Sequence, residues 1–237
     1  MPFQKIEPER IASSIRRQIE SLILRGILRP GERLPSERDL AARLDVSRPS
    51  LREALAELEE VGLIETRPGA GAYVADVLGS AFAPPLVRLF STHAEALFDY
   101  LAFRRDLEGL AAERAAEHAS EVDLKVISAV FEKMEAAHQK RSPKEEAALD
   151  AEFHMAIIEA SHNVVMLHMM RSMFGLLQEG VFYNRTTLFK HRTRRRDLLN
   201  QHRAIHEALT ARDPAGARAA VEAHLQFIEN EMKEQGR

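Results

Sequence analysis

Apolar residues recur at helical spacing in the first third of the chain and then give way to a short alternating pattern. The spacing predicts three helices, and the alternation after the third predicts two strands joined by a glycine-containing turn. The predicted helices cover residues 8–25, 36–44 and 47–62, and the predicted strands cover residues 63–67 and 72–74. Helix, turn, helix and hairpin in this order predict a winged helix-turn-helix, in which the later helix of the pair enters the major groove of DNA.

The rest of the chain keeps a helical period almost throughout. Residues 76–85 contain Gly79, Pro84 and Pro85 and predict a linker. From residue 86 onward the pattern predicts an all-α bundle of six or seven helices, of which six cover residues 92–119, 121–139, 143–161, 164–183, 196–211 and 214–233. We therefore predict a mainly α protein with a winged helix-turn-helix domain over 1–75, a linker over 76–85 and an all-helical domain over 86–237.

Charge and composition narrow the possible functions. The 237 residues carry a net charge of −3, so any DNA binding has to come from a local basic patch. The chain has no cysteine, which excludes disulfides and thiolate metal sites. We find no apolar run near the ~20 residues of a membrane span and no signal-peptide pattern, and therefore expect a cytoplasmic protein without membrane contact. We expect the basic run at 190–196 to belong to a solvated loop or helix start, with a second DNA-binding patch as the alternative.

Two arginines mark the predicted groove helix. Arg48 and Arg52 lie one turn apart at its start, off the apolar stripe, and Arg38 repeats this arrangement at the start of the preceding helix. A cation at a helix N-terminus opposes the helix dipole at a cost of about 0.3–1 kcal/mol. A phosphate or a guanine edge reverses that cost, which predicts contact with DNA. The alternative is a solvated helix end with incidental arginines.

The predicted bundle places polar side chains on apolar helix faces. Asp150 and His154 share a face at i, i+4 spacing, His202 flanks an apolar stripe, and His224 lies in the middle of another. Buried polar groups need a partner, and one divalent metal would satisfy all four. Imidazole and carboxylate ligands suit zinc, nickel, cobalt or manganese. The alternative is that each histidine is a core residue bonded to a backbone carbonyl.

Arg104 is a second polar residue within a predicted buried stripe. Because its guanidinium is always charged, it needs an anionic partner. One candidate is Glu108, one helical turn further on. The other is a small carboxylic acid bound at the metal, held by Arg104 through a bidentate pair.

Three segments of the winged part resemble the GntR family of bacterial transcription regulators. They are LPSERDLA at 34–41, VSRPSLREAL at 46–55 and GLI at 62–64. The resemblance implies that Arg38, Arg48 and Arg52 contact operator DNA, and that Ser47, Ser50 and Gly69 contact its backbone or groove edge. The chain departs from the family at Asp45, where many members have glycine, although aspartate tolerates the left-handed conformation. It departs again at Pro68, where a hydrogen-bonding side chain is frequent.

The bundle resembles the ligand-binding domain of the FadR-type branch of that family. The matching segments are RRDLE at 104–108, DAEFH at 150–154, QHRAI at 201–205 and AHL at 223–225. The resemblance implies a metal ion, zinc above all, bound by Asp150, His154, His202 and His224, with Arg104 contacting the effector. His206 lies one turn from His202, but the motif aligns on His202. The run at 153–170 is similar to regulators that respond to pyruvate, lactate or glycolate, such as pyruvate-dehydrogenase-complex repressors.

These observations lead to one functional hypothesis and two alternatives. We expect a homodimeric repressor that binds double-stranded operator DNA and responds to a small carboxylic acid bound at the metal. The same histidine and aspartate set also fits a metal-dependent enzyme or a direct metal sensor. We favour a regulator over an enzyme because we find no extra base beside the metal motifs.

Overall fold

A computed structural model describes residues 10–76, 84–178 and 192–234. The chain divides into two compact units, Met1–Gly79 and Ser80–Arg237, and each is described by itself. Most of the expected linker lies outside the described residues. Its last two residues, Pro84 and Pro85, begin a helix. Proline is tolerated in the first helical turn, where its missing N–H has no intrahelical partner.

The first unit is a three-helix fold with a two-stranded wing. Its elements are α1 (Ile11–Leu24), α2 (Glu37–Leu44), α3 (Arg48–Glu60), β1 (Ile64–Arg67) and β2 (Gly71–Val74). The strands pair antiparallel, with Ile64 opposite Val74 and Arg67 opposite Gly71. Their inward residues join the helices in one core, which includes Ile15, Ile19, Leu51 and Leu58. The predicted winged helix-turn-helix is confirmed.

Caps and a left-handed residue fix the turn between α2 and α3. The Ser36 and Ser47 side chains accept hydrogen bonds from the N–H groups of Asp39 and Ser50, which are otherwise unpaired at the helix starts. Asp45 ends α2 at a φ of 51°, the left-handed conformation expected of it. The aspartate therefore keeps the tight turn that glycine forms in many family members.

The second unit is all helical over its described residues. Its helices are α4 (Pro84–Thr92), α5 (Ala94–His118), α6 (Glu121–Lys140), α7 (Pro143–Ala160), α8 (Val164–Gln178), α9 (Arg192–Thr210) and α10 (Pro214–Glu234). The predicted mainly α class is confirmed. The last five residues of the helix predicted over 164–183 lie outside the described part of the chain. Within that part, no helix is long and apolar enough to cross a membrane.

The packing of five helices creates the interior in which the polar residues meet. α5 packs against α10, with fully buried alanines at 111, 112 and 115 that let the two backbones approach closely. α7 contacts α5 and α6, and α9 contacts α6 and α10. The interior-facing side chains of α5, α7, α9 and α10 therefore share one core.

The basic run at 190–196 forms a helix start where the structure describes it, which was one of the two predicted forms. Residues 192–196 form the start of α9, and Arg195 is only 7% exposed. Its guanidinium donates to both carboxylate oxygens of Glu146 at 2.5–3.0 Å and to the carbonyl of His138 at 2.8 Å. The prediction of a solvated run is therefore wrong for Arg195, since a charge pattern alone does not reveal a buried acid on another helix.

Candidate functional site

Four predicted side chains meet in the interior of the helical unit. Asp150 and His154 come from α7, His202 from α9 and His224 from α10, and each offers a donor atom within 4.8 Å of the others. The Nε2 atoms of His154 and His224 are 3.2 Å apart, and His202 Nε2 is 3.1 Å from Asp150 Oδ1. All four residues are buried. Helix periodicity placed each residue on its inward face, and the packing of three helices brings those faces together.

The Nδ1 atom of each imidazole lies beside an oxygen that can accept a hydrogen bond. His154 Nδ1 lies 2.6 Å from Glu108 Oε2, and His202 Nδ1 lies 2.7 Å from the carbonyl oxygen of Leu198. His224 Nδ1 lies 2.9 Å from Gln201 Oε1. The Leu198 and Gln201 oxygens are hydrogen-bonded to His202 and His224, and the Glu108 carboxylate lies against His154. Because all three oxygens can only accept, this arrangement favours the proton on each Nδ1 and the lone pair on each Nε2. All three lone pairs are therefore available to the shared centre.

Such a cluster fits a divalent cation. Three nitrogen lone pairs and a carboxylate oxygen lie within 4.8 Å of one another. All four can accept a hydrogen bond or bind a metal, and none of them can donate a hydrogen bond to another. His202 Nε2 is buried and has no hydrogen-bond partner among the described residues. A cation would satisfy all four atoms at once, whereas a bond from each histidine to a backbone carbonyl occurs here only for His202.

The surroundings keep two of the imidazoles in the neutral form that binds metals. Burial is the main cause that lowers the pKa of His154, with a smaller contribution from Arg104. Burial and the neighbouring His202 and His154 lower the pKa of His224 further. Metal ligation requires neutral imidazole, so these shifts favour the ligating state near neutral pH.

His206, the possible competitor of His202, lies outside the cluster. Its Nε2 is 2.9 Å from Ser128 Oγ, and its ring stacks on Phe131 at a centroid distance of 4.8 Å. The motif alignment therefore selected the histidine that faces the centre.

Glu108 joins Arg104 to the cluster. Arg104 is fully buried, and its Nε donates to Glu108 Oε1 at 2.5 Å, while Glu108 Oε2 faces His154. Burial raises the pKa of Glu108, but Arg104 and His154 outweigh it and hold the pKa at about 2. The sequence indicated the Arg104–Glu108 pair from its i, i+4 spacing. It gave no signal for the contact with His154, which depends on how α5 packs against α7.

The structure brings Arg48 and Arg52 together through an acid that sequence reasoning missed. Glu37, the first residue of α2, accepts from Arg52 Nε at 2.8 Å and from Arg48 Nη2 at 3.5 Å. The hydrogen bond from Arg52 is the main cause that lowers the pKa of Glu37. Arg38 stands apart, with an exposed side chain 3.6 Å from Asp39. This surface of α2 and α3 therefore presents cations in a fixed arrangement.

The remaining predicted groove residues have local structural roles as well. Ser47 Oγ lies 2.9 Å from Ser50 Oγ and caps α3, so both hydroxyls belong to the helix start. Gly69 adopts a φ of 73° in the turn of the wing, a conformation that L residues rarely take. Beside it, the Arg67 guanidinium packs over the ring of Tyr73 at 4.2 Å. The three predicted residues therefore lie at a helix start and at a wing tip.

A winged helix with clustered arginines, joined in one chain to a bundle with a buried polar centre, defines a class of ligand-responsive DNA-binding proteins. Comparisons with known proteins agree. Residues 11–74 match the family described as bacterial regulatory proteins, gntR family, and residues 99–227 match the FCD domain. The chain belongs to the GntR family of bacterial transcription regulators, in the FadR-type branch that carries an FCD domain.

Relatives extend over nearly the whole chain. The Glc operon transcriptional activator of Escherichia coli K12 is 36% identical over 231 residues, covering 96% of this chain and 91% of the relative. The putative L-lactate dehydrogenase operon regulatory protein of the same strain is 36% identical and covers 95% of this chain and 88% of the relative. A solved GntR structure from Streptococcus agalactiae has a TM-score of 0.56 at 26% identity and covers 93% and 99% of the two chains.

The relatives are named transcriptional regulators, so this chain is a DNA-binding transcription regulator with a ligand-binding helical domain and not an enzyme. The prediction of a regulator is confirmed, and the metal-dependent enzyme considered as an alternative is excluded.

Proposed function

We propose that a small carboxylic acid, bound at a divalent metal in the helical domain, controls the affinity of this regulator for its operator. The observation that carries the proposal is the convergence of three Nε2 lone pairs and one carboxylate beside a buried arginine. We assign the DNA-binding domain to residues 1–75, the linker to 76–85 and the effector-binding domain to 86–237. Repression stays a prediction, because one relative is named an activator.

Asp150, His154, His202 and His224 would bind the metal. Their imidazole and carboxylate donors suit zinc, which we expect, and also nickel, cobalt or manganese. The bound ion would supply positive charge to a carboxylate guest. The contacts of the three Nδ1 atoms with oxygens of Glu108, Leu198 and Gln201 would orient the imidazoles toward the ion before it binds.

Arg104 would hold the acid. Its Nε donates to Glu108 Oε1 at 2.5 Å, and Glu108 Oε2 lies 2.6 Å from His154 Nδ1, which supports a guanidinium close to the proposed metal centre. A guanidinium pairs with a carboxylate through two parallel hydrogen bonds, which gives orientation as well as affinity. Among pyruvate, lactate and glycolate, we favour lactate as the effector, because one relative is named for an L-lactate dehydrogenase operon.

The winged domain would read the operator as part of a homodimer. Two recognition helices would reach successive major grooves, about 34–36 Å apart or a multiple of that distance. Arg38, Arg48 and Arg52 would contact base edges and phosphates, and Ser47, Ser50 and Gly69 would contact the backbone or groove edge. Binding of the acid would weaken the operator complex by a coupling free energy of about 1–3 kcal/mol.

Replacing Arg104 with alanine tests the acid site. We expect operator affinity to persist, while L-lactate, pyruvate and glycolate lose the roughly 5- to 150-fold effect that such a coupling produces. Fluorescence anisotropy of a labelled operator duplex, titrated with each acid, measures this. Arg104→Lys keeps a cation beside Glu108 but loses the bidentate geometry, so it should also respond weakly.

Arg105→Ala is the matched control for that experiment. Arg105 is the adjacent residue on α5, but its guanidinium bonds Gln226 and Glu229 at 2.6 and 2.9 Å. Its removal should leave the response unchanged. An acid response that survives in both Arg104 variants contradicts the assignment of Arg104.

A direct metal sensor is the second candidate, because the same cluster supports it. In that case zinc or a chelator alone, with no acid present, would change operator affinity as much as regulation does. The same anisotropy titration with zinc and with EDTA distinguishes the two functions.

A further inference from the structure

Glu108 is the feature of the buried centre that metal binding alone does not explain. Its side chain is 3% exposed, and its two oxygens are divided between Arg104 and His154 at 2.5 and 2.6 Å. One carboxylate therefore neutralises the arginine proposed to hold the effector and orients a proposed metal ligand. Supporting His154 would require only a neutral acceptor, such as the carbonyl that supports His202.

The buried charges of the described bundle give Glu108 a further role. They consist of two guanidinium groups and three carboxylates, on Arg104, Arg195, Glu108, Glu146 and Asp150. Arg195 and Glu146 pair with each other, so their charges cancel. Arg104, Glu108 and Asp150 together leave one negative charge, and a divalent ion bound to neutral imidazoles changes that to one positive charge. A guest with a single carboxylate would bring the centre to neutrality.

We propose that Glu108 is the specificity-determining residue that restricts the effector site to monocarboxylates. This inference rests on the proposed function and adds the charge of the guest to it. A second carboxylate on the guest would be buried with no further buried cation among the described residues to balance it, which is costly in a protein interior. Without Glu108, the metal-loaded centre would carry two positive charges and would suit a dicarboxylate.

The effect of this charge is large enough to measure. A unit charge about 6 Å away, at an effective dielectric constant of about 20, changes affinity by roughly a hundredfold. The negative charge of Glu108 repels one carboxylate of a monocarboxylate guest but two carboxylates of a dicarboxylate guest. Removing it should therefore change the ratio of their two affinities, which is less sensitive to general loss of binding than either affinity alone.

L-lactate and tartronate form a matched pair of probes, because tartronate has a second carboxylate in place of the methyl group of lactate. Isothermal titration calorimetry of the zinc-loaded full chain should show that the wild type prefers lactate by about tenfold or more. Glu108→Gln should shift the affinity ratio toward tartronate by roughly ten- to a hundredfold. Glu108→Asp, which retains the charge, should keep the wild-type preference.

The metal has to be followed in the same samples. Changing the outer partner of a metal ligand weakens metal binding by about 10–100-fold in comparable sites, so zinc is kept saturating and its content is measured by elemental analysis. Glu152→Gln is the control for charge alone, since Glu152 is an exposed acid on α7 that pairs with Lys133. It should leave the lactate-to-tartronate ratio unchanged.

Three results would overturn the inference. One is a wild type that binds tartronate as tightly as lactate, which requires no variant to fold. Another is a Glu108→Gln protein that retains zinc and an unchanged ratio, which would limit Glu108 to supporting His154. The third is a zinc-loaded wild type that binds neither acid, and this result alone would also remove the proposed acid site.

Discussion

Replacing His224 with alanine is expected to abolish stoichiometric metal binding. The His224 Nε2 atom faces His154 Nε2 at 3.2 Å in a cluster of four donors, so its loss removes one ligand outright. Outer partners of metal ligands contribute about 10–100-fold to affinity, and loss of a ligand should exceed about a hundredfold. Elemental analysis of protein purified without chelators measures the bound metal. His154→Ala should have the same effect.

Thermal unfolding gives a second readout of the same change. A ligand present at a hundred times its Kd stabilises the folded state by about 2.7 kcal/mol. For a chain of this size, that corresponds to a rise in Tm of about 5–10 °C on adding zinc. The wild type should show this rise and the His224→Ala protein should not.

His206→Ala is the control, because this histidine lies on α9 one turn from His202 but bonds Ser128 outside the cluster. Its metal content and zinc-dependent Tm shift should match the wild type. A His224→Ala protein that retains one metal per chain would show that the ion is bound elsewhere.

The four candidate ligands were predictable because helical periodicity carries the relevant information. An i, i+4 pair such as Asp150 and His154 shares a face whatever the helix packs against, and an apolar stripe shows which face is buried. His202 bonds a carbonyl of its own helix, but the partners of His154 and His224 lie on other helices. Glu108 contacts His154 through the packing of α5 on α7, and Arg195 on α9 pairs with Glu146 on α7. No local pattern predicts such contacts.

The winged domain shows the same division. The sequence predicted α2 and α3 closely, because their caps and the turn depend on local backbone contacts and conformation. The residues concerned are Ser36, Asp45 and Ser47. The arginines were predicted from their position at a helix start. The Glu37 carboxylate that holds two of them comes from another helix, 11 and 15 residues away in sequence. Local rules therefore predicted which residues are present at each site, and tertiary packing decided their partners.

Replacing Arg48 with alanine is expected to abolish specific operator binding and to leave the metal centre intact. Arg48 lies at the start of α3 with more than half of its side chain exposed, and in a dimer it would occur in both half-sites. A bidentate contact to guanine contributes about 1–3 kcal/mol of discrimination, so two copies correspond to roughly 30-fold to more than 10⁴-fold. Fluorescence anisotropy with a duplex selected from a random pool, compared with its scrambled version, measures the discrimination.

The salt dependence of the same titration separates base contact from phosphate contact. Loss of a base contact should remove discrimination and leave the slope of affinity against salt concentration nearly unchanged. Loss of a phosphate contact should weaken binding to both duplexes and reduce the slope by about one per contact.

Arg25→Ala is the control, since Arg25 is an exposed cation at the end of α1 with no assigned groove role. Because Glu37 lies within reach of both arginines, Arg52 should keep its Glu37 contact in the Arg48 variant. Unaltered discrimination by Arg48→Ala, with zinc content also unchanged, would contradict the placement of α3 in the major groove without affecting the metal centre.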